Sequence, residues 1–180
     1  MIRNLLITGM PGTGKTTLVR RIADGLAGYR AVGFYTQELR EAGRRVGFEL
    51  VSLDGRRRVL AHTEIETPFR VGRYGVDVAG FEEFLASVPF TAGEADIIVI
   101  DEIGKMEWFS HRFREIVREA LDTATPCLAT IALKGGREIE ALRLRRDVRV
   151  VEVTRTNRDS LPPVLEEDLR RMVAAPPGSG

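Results

Sequence analysis

The chain has 180 residues, 43% hydrophobic and 29% charged, with a formal net charge of +1. That length and composition suit one globular domain with a sizeable core, and the near-neutral charge excludes a strong overall field towards nucleic acid or a membrane surface. Cys127 is the only cysteine, so there is no intrachain disulfide, and no apolar run reaches the roughly 18 residues of a membrane span; a cytoplasmic protein is expected.

In chain order, Ile2–Thr8 is a short apolar run stopping at a glycine-rich turn, the pattern of a buried parallel strand and not of a leader peptide. Leu18, Val19, Ile22 and Leu26 recur at helical spacing over Lys15–Leu26, with Gly28 as a stop. Ala31–Gln37 reads as a second strand. Val46–Leu53 and Arg58–Ala61 flank the turn signal Asp54-Gly55, which predicts a small antiparallel hairpin inserted at an edge. Thr63–Asp77 reads as a long loop with one short strand at Phe69–Val71. Phe81–Val88 is a short helix, Asp96–Ile100 an apolar strand, and Phe113–Leu121 an amphipathic helix. Cys127–Ala132, Glu138–Leu144, Val148–Val153 and Ser160–Val173 alternate strand and helix. Residues 174–180 are rich in Pro, Gly and Ser and read as a disordered tail after a single domain of residues 1–173. Alternating strands and helices predict an α/β fold in three layers, a mostly parallel sheet with helices on both faces.

Gly9-Met10-Pro11-Gly12-Thr13-Gly14-Lys15-Thr16 matches the phosphate-loop spacing in full, with a strand before it and a helix after it. Its glycines let successive N–H groups turn inwards onto phosphates, and the helix start adds partial positive charge. Lys15 is expected on the β- and γ-phosphates, and Thr16 is a ligand for Mg²⁺.

Asp101-Glu102 ends the apolar strand Asp96–Ile100, at the edge where open α/β sheets bind ligands. Asp101 is the second candidate Mg²⁺ ligand. Glu102 is the candidate for orienting or deprotonating a water opposite the γ-phosphate. The plainer reading of this pair is a polar cap on the turn leading to Gly104. A cation facing the developing charge is sought among Lys105, Lys134, Arg70, Arg73, Arg112 and Arg137, with Lys105 favoured because it follows Glu102 closely.

Tyr35 and Glu38, at the end of a strand, are possible cleft residues, Glu38 as a second base. Phe34 is expected in the core and Trp108 partly buried at a helix start. Asn157 either meets the base or caps the last helix, and Asp159 reads as a cap. His62 and His111 lack partners at metal-ligand spacing. Arg44-Arg45 and Arg56-Arg57-Arg58 read as a solvated basic face, with nucleic acid and membrane not expected as partners.

Gly9–Thr17, Gly33-Phe34-Tyr35-Thr36, Gly72–Val78, Asp101-Glu102-Ile103-Gly104 with Met106-Glu107, and Val153-Thr154 with Asn157–Pro162 together resemble the thermophilic and cancer-related nucleoside-triphosphatases of the P-loop NTPase class. The resemblance implies a RecA-like fold and slow, Mg²⁺-dependent hydrolysis of ATP, GTP and other nucleoside triphosphates. It also implies nucleotide contacts from Gly9, Met10, Pro11, Gly12, Thr13, Gly14, Lys15 and Thr16, and from Ile97, Ile98, Val99, Ile100, Asp101, Glu102, Ile103 and Gly104; Thr17, next to the loop, and Asn157, after the last strand, are further nucleotide-binding candidates. Two rival readings are a small-molecule or nucleotide kinase on the same fold and a slow nucleotide-binding switch.

Overall fold

The apolar runs form the middle of one sheet. A computed structural model describes residues 1–90 and 95–175. Its parallel strands are β1 (Asn4–Thr8), β2 (Ala31–Glu41), β7 (Ile97–Ile103), β8 (Cys127–Ile131) and β9 (Val148–Glu152). β3 (Arg44–Ser52), β4 (Arg57–His62), β5 (Arg70–Val71) and β6 (Tyr74–Val76) extend the sheet antiparallel from β2. Among the described residues the order is β5-β6-β4-β3-β2-β7-β8-β1-β9. β8 therefore separates the strand before the phosphate loop from the strand that ends in Asp101-Glu102.

Alternation along the central strands supplies two cores. Leu5, Ile7, Ile97 and Val99 pack under α1 (Lys15–Gly25) and α5 (Leu161–Ala174), through Leu18, Ile22, Leu165 and Leu169. Leu6, Ile98 and Ile100 point to the other face, covered by α2 (Val78–Ser87), α3 (His111–Asp122) and α4 (Arg137–Arg143). Phe34 is fully buried there, edge-on to Phe81, Phe84, Phe90 and Phe113. Such aromatic pairs add about 0.5–1.5 kcal/mol each beyond burial. α2 and α3 start on side-chain caps from Asp77 and Ser110.

The expected antiparallel hairpin lies in the edge region of the main sheet: β2 runs on to Glu41, turns at Gly43 (φ 77°), and the antiparallel strands continue the sheet. Thr63–Asp77 is no plain loop. Tyr74 and Val76 bury on the sheet edge, Gly72 (φ 58°) turns β5 back onto β6, and β6 pairs with β4. The last helix reaches Ala174, and the tail from 176 lies outside the described residues.

Gly33 marks the closest approach in the sheet. Its φ is +132°, and a Cβ there would stand 1.8 Å from the Val99 carbonyl oxygen. Gly33→Ala therefore forces β2 away from β7. We expect it to cost about 2–4 kcal/mol of stability, read as a lowered urea midpoint.

Candidate active site

The phosphate loop leaves β1 at Gly9, whose φ is +153° and where a Cβ would meet the Val153 carbonyl oxygen at 2.5 Å. Gly14 (φ 95°) precedes α1 in the left-handed region, and no side chain caps the helix. The first N–H groups of α1 are thus left for a ligand. Thr13 Oγ1 donates to Met10 O at 2.8 Å and braces the loop, while Met10 points outwards, 59% exposed. Lys15 Nζ folds back to donate to Gly9 O at 3.2 Å. Pro11, Gly12, Gly14, Lys15, Thr16 and Thr17 line one wall of a cleft of about 630 Å³.

Asp101 lies fully buried behind the cleft-lining residues Thr16 and Thr36. Its Oδ2 accepts from Thr16 Oγ1 at 2.8 Å and from the Thr36 N–H at 3.3 Å, and its Oδ1 accepts from Thr130 Oγ1. Burial raises its pKa, opposed by the bonds from Thr130, Thr16 and Thr36 and by the Lys15 charge. The two residues expected to hold a metal ion are therefore in direct contact. Both offer hard oxygen donors, as Mg²⁺ prefers. The Asp101–Glu102 peptide is cis. Glu102 faces the cleft with Lys105 and Gly104. Burial and the neighbouring Asp101 carboxylate push its pKa up, and Lys15 pulls it down. A raised carboxylate next to a phosphate site is suited to taking a proton from water.

Glu107 also lines the cleft, 6% exposed, with Oε2 2.9 Å from where a Gly104 Cβ would lie. Burial, and then the Glu102 charge, lift its pKa to about 8. In the sequence it belongs to the run that carries the family resemblance, with no role of its own assigned. Lys105 is exposed, lines the cleft, and has no hydrogen-bond or ion-pair partner among the described residues.

Other expected site residues fall elsewhere. Ile97, Ile98, Val99, Ile100 and Ile103 are at most 2% exposed and belong to the two cores. Their side chains cannot meet a nucleotide; the segment reaches the cleft only at Glu102 and Gly104. Asn157 spends both amide atoms on its own loop, accepting from the Thr154 N–H at 2.8 Å and donating to Glu152 O at 2.9 Å. Its side chain does not cap α5. Asp159 is no cap either: α5 begins at Leu161, after Ser160, without a side-chain cap.

Tyr35 turns away from the cleft and lies under the Arg20 guanidinium of α1, 4.6 Å from it. Glu38 lies at the lip, paired with Arg45 at 2.7 Å and Arg40 at 2.6 Å. The Arg45 hydrogen bond holds its carboxyl below the usual range, which weakens it as a base. Arg70 and Arg73 bond to backbone carbonyls of their own hairpin and of Arg45. Arg112 pairs with Glu115 at 3.5 Å. Lys134 and Arg137 do not line the cleft. In the basic hairpin, Arg56, Arg57 and Arg58 pair with Asp54, Glu49, Asp77 and Glu83. From behind the loop, Arg143 donates to Thr8 Oγ1 at 3.3 Å and to the Ala132 carbonyl, tying the ends of β1 and β8.

Comparison with known proteins agrees with this geometry. A family model described as NTPase matches residues 4–165. The nucleoside-triphosphatase THEP1 of Thermotoga sp. (strain RQ2) is 43% identical over 158 residues, covering 87% of this chain and 90% of the relative. The human cancer-related nucleoside-triphosphatase is 41% identical over 179 residues, covering 91% and 94%. The crystal structure of THEP1 from the hyperthermophile Aquifex aeolicus superposes with a TM-score of 0.81 at 33% identity, covering 93% of this chain and 99% of that one. The solution structure of a human cancer-related nucleoside triphosphatase gives 0.78 at 39% identity, covering 94% and 98%.

Glu107 makes stability depend on pH. Unfolded, it ionises near its ordinary 4.5; folded, it keeps its proton to about 8. Between those values the folded state binds more protons, so stability is full below 4.5 and falls as pH rises through 8. Glu107→Gln is expected to remove a slope of at most about 1.4 kcal/mol per pH unit. Urea midpoints measured from pH 5 to 8 check this: the variant should gain on the native protein as pH rises.

Proposed function

We propose that this chain, which belongs to the NTPase family and is a nucleoside-triphosphatase, hydrolyses ATP, GTP and other nucleoside triphosphates to the diphosphate and phosphate with Mg²⁺, in the cytoplasm. Residues 1–173 are read as one catalytic domain. The observation that carries this is the contact of Thr16 with Asp101 at 2.8 Å, with Glu102 the next residue in the cleft wall facing Lys15. Among the described residues no helix is long and apolar enough to cross a membrane.

Thr16 and Asp101 would hold the ion, which bound there supplies charge neutralisation at the β- and γ-phosphate oxygens. Lys15 exchanges its Gly9 carbonyl partner for those oxygens, and the free amides of the loop and of α1 surround them. Glu102 receives the proton of the attacking water. The water oxygen bonds to the γ-phosphorus, the bond to the bridging oxygen breaks, and the diphosphate leaves with the released electron pair. Lys105 faces the charge gathered on the terminal phosphate.

The nucleoside is assigned to a side cavity of about 310 Å³ between α1 and the loop before α5. It shares Gly14 and Thr17 with the cleft and is walled by Leu18, Arg21 and Arg158. Arg158 leans over the phosphate loop, its Cδ 3.9 Å from where a Gly14 Cβ would lie. A guanidinium over a ring favours any base, which supports broad base specificity.

Phosphate release from ATP and GTP, with no acceptor added, tests the reaction. Release only in the presence of an acceptor would favour a kinase. Glu102→Gln is expected to cut turnover by about 10²–10⁴-fold while nucleotide affinity is retained; unchanged turnover removes Glu102 from the role. Arg158→Ala should raise KM for ATP and GTP alike, by an amount matching about 0.5–2 kcal/mol, with kcat little altered. Steady-state kinetics on both substrates decide it, and an unchanged KM would move the nucleoside elsewhere.

A further inference from the structure

A second cavity, of about 450 Å³, opens beside the cleft. It shares Val71 and Lys105 with the cleft, whereas the cavity beside Arg158 shares Gly14 and Thr17. The two side cavities thus join the cleft through different residues. The walls of the second are Arg70 and Val71 of β5, Lys105 after β7, Trp108 and Phe109 of a 3-10 turn (Glu107–Phe109), and Gly136 before α4. Two of these carry positive charge and two are aromatic. Among the described residues, no Asp or Glu lines the cavity.

The chemistry of these walls is held in place. Trp108 Nε1 donates to Glu138 Oε2 at 2.9 Å, which fixes the indole. Phe69, 39% exposed, lies 5.4 Å from Phe109 and extends the aromatic surface. Arg70 donates to Arg73 O at 2.8 Å and to Ile65 O at 3.3 Å, which positions the guanidinium and leaves further N–H groups. Lys105 has no partner among the described residues. Aromatic faces recognise a planar ring, paired cations recognise a phosphate, and the volume is that of a small-ligand site.

We propose that this cavity binds a nucleoside monophosphate, its base against Trp108 and Phe109 and its phosphate on Arg70 and Lys105, and that its occupancy slows hydrolysis in the adjoining cleft. A free nucleoside lacks the charge, and inorganic phosphate lacks the ring. The slowing follows because a Lys105 ammonium drawn onto the second phosphate is withdrawn from the terminal phosphate of the substrate. That coupling rests on the hydrolase reading; the binding does not, so the two fail separately.

Trp108 is the chain's only tryptophan, so its emission reports on this cavity directly. The full chain is saturated with Mg²⁺ and a non-hydrolysable ATP analogue, which fills the cleft, and titrated with AMP or UMP. A saturable change in emission is expected with each, and none with adenosine or inorganic phosphate. Gly136 has an ordinary φ of −72°, and a Cβ there meets nothing within 4 Å. Gly136→Leu therefore adds bulk at the cavity wall without backbone strain. It should abolish the emission change and leave basal phosphate release unaltered. AMP should slow phosphate release from saturating ATP severalfold in the native chain and not in Gly136→Leu. Loss of the signal when the analogue is present would show that AMP competes for the cleft, and would overturn the second site. So would a missing signal, or one that survives in Gly136→Leu. Displacement of AMP by a short single-stranded RNA at much lower concentration would assign the cavity to nucleic acid instead. Binding with no slowing overturns the role given to Lys105.

Discussion

Asp101 is a carboxylate with no exposed surface, and the site is organised around keeping it there. Burying an ionised group is costly unless its oxygens are bonded. Here they are met by Thr16 of α1, Thr36 of β2 and Thr130 of β8. Those three contacts fix the phosphate loop's helix against the strands on either side of β7. Removing any one of them leaves buried charge less compensated, so each hydroxyl or amide acts on the whole arrangement behind the cleft. Because Thr16 reaches Asp101 directly, the arrangement also gathers two hard oxygen donors at one place.

Carboxylates and cations share the cleft, Glu38, Glu102 and Glu107 with Lys15, Arg45 and Lys105. Burial raises the pKa of Asp101, Glu102 and Glu107, and neighbouring carboxylates add to this for Glu102 and Glu107. Lys15 is the cation that opposes this for Asp101 and Glu102. A divalent ion would relieve the same repulsion, and a proton on Glu107 does so in part. The features that suit the cleft to catalysis therefore detract from stability, which is a familiar opposition at active sites.

The antiparallel wing does more than widen the sheet. β3 to β6 carry Arg45, Phe48 and Val71 to the side of the cleft facing the phosphate loop. Without them the phosphate loop and the end of β7 would form an open groove. The wing also supplies the β5 wall of the cavity that shares Lys105. The two side cavities therefore differ in origin: one is built from α1 and the loop before α5, the other from the wing, the 3-10 turn and the start of α4.

The sequence by itself determined the local elements and the phosphate-binding chemistry. Period-two and period-3.6 apolar patterns, the glycines of the loop and the Asp101-Glu102 pair are encoded within a few residues of one another, so adjacency is enough to read them. Strand ends were within a few residues, because ends depend on pairing partners that lie far along the chain. Only the tertiary structure decided which residues of each segment face a ligand. Ile97 to Ile100 belong to the core because the strand carrying them is covered on both faces. Asn157 is consumed by its own loop, and Tyr35 turns to Arg20, because orientation is set by neighbours and not by residue type. Glu107 stood in a recognisable motif, but its part in the cleft was not legible for the same reason: a carboxylate is ordinary until packing places it, buried, beside Glu102.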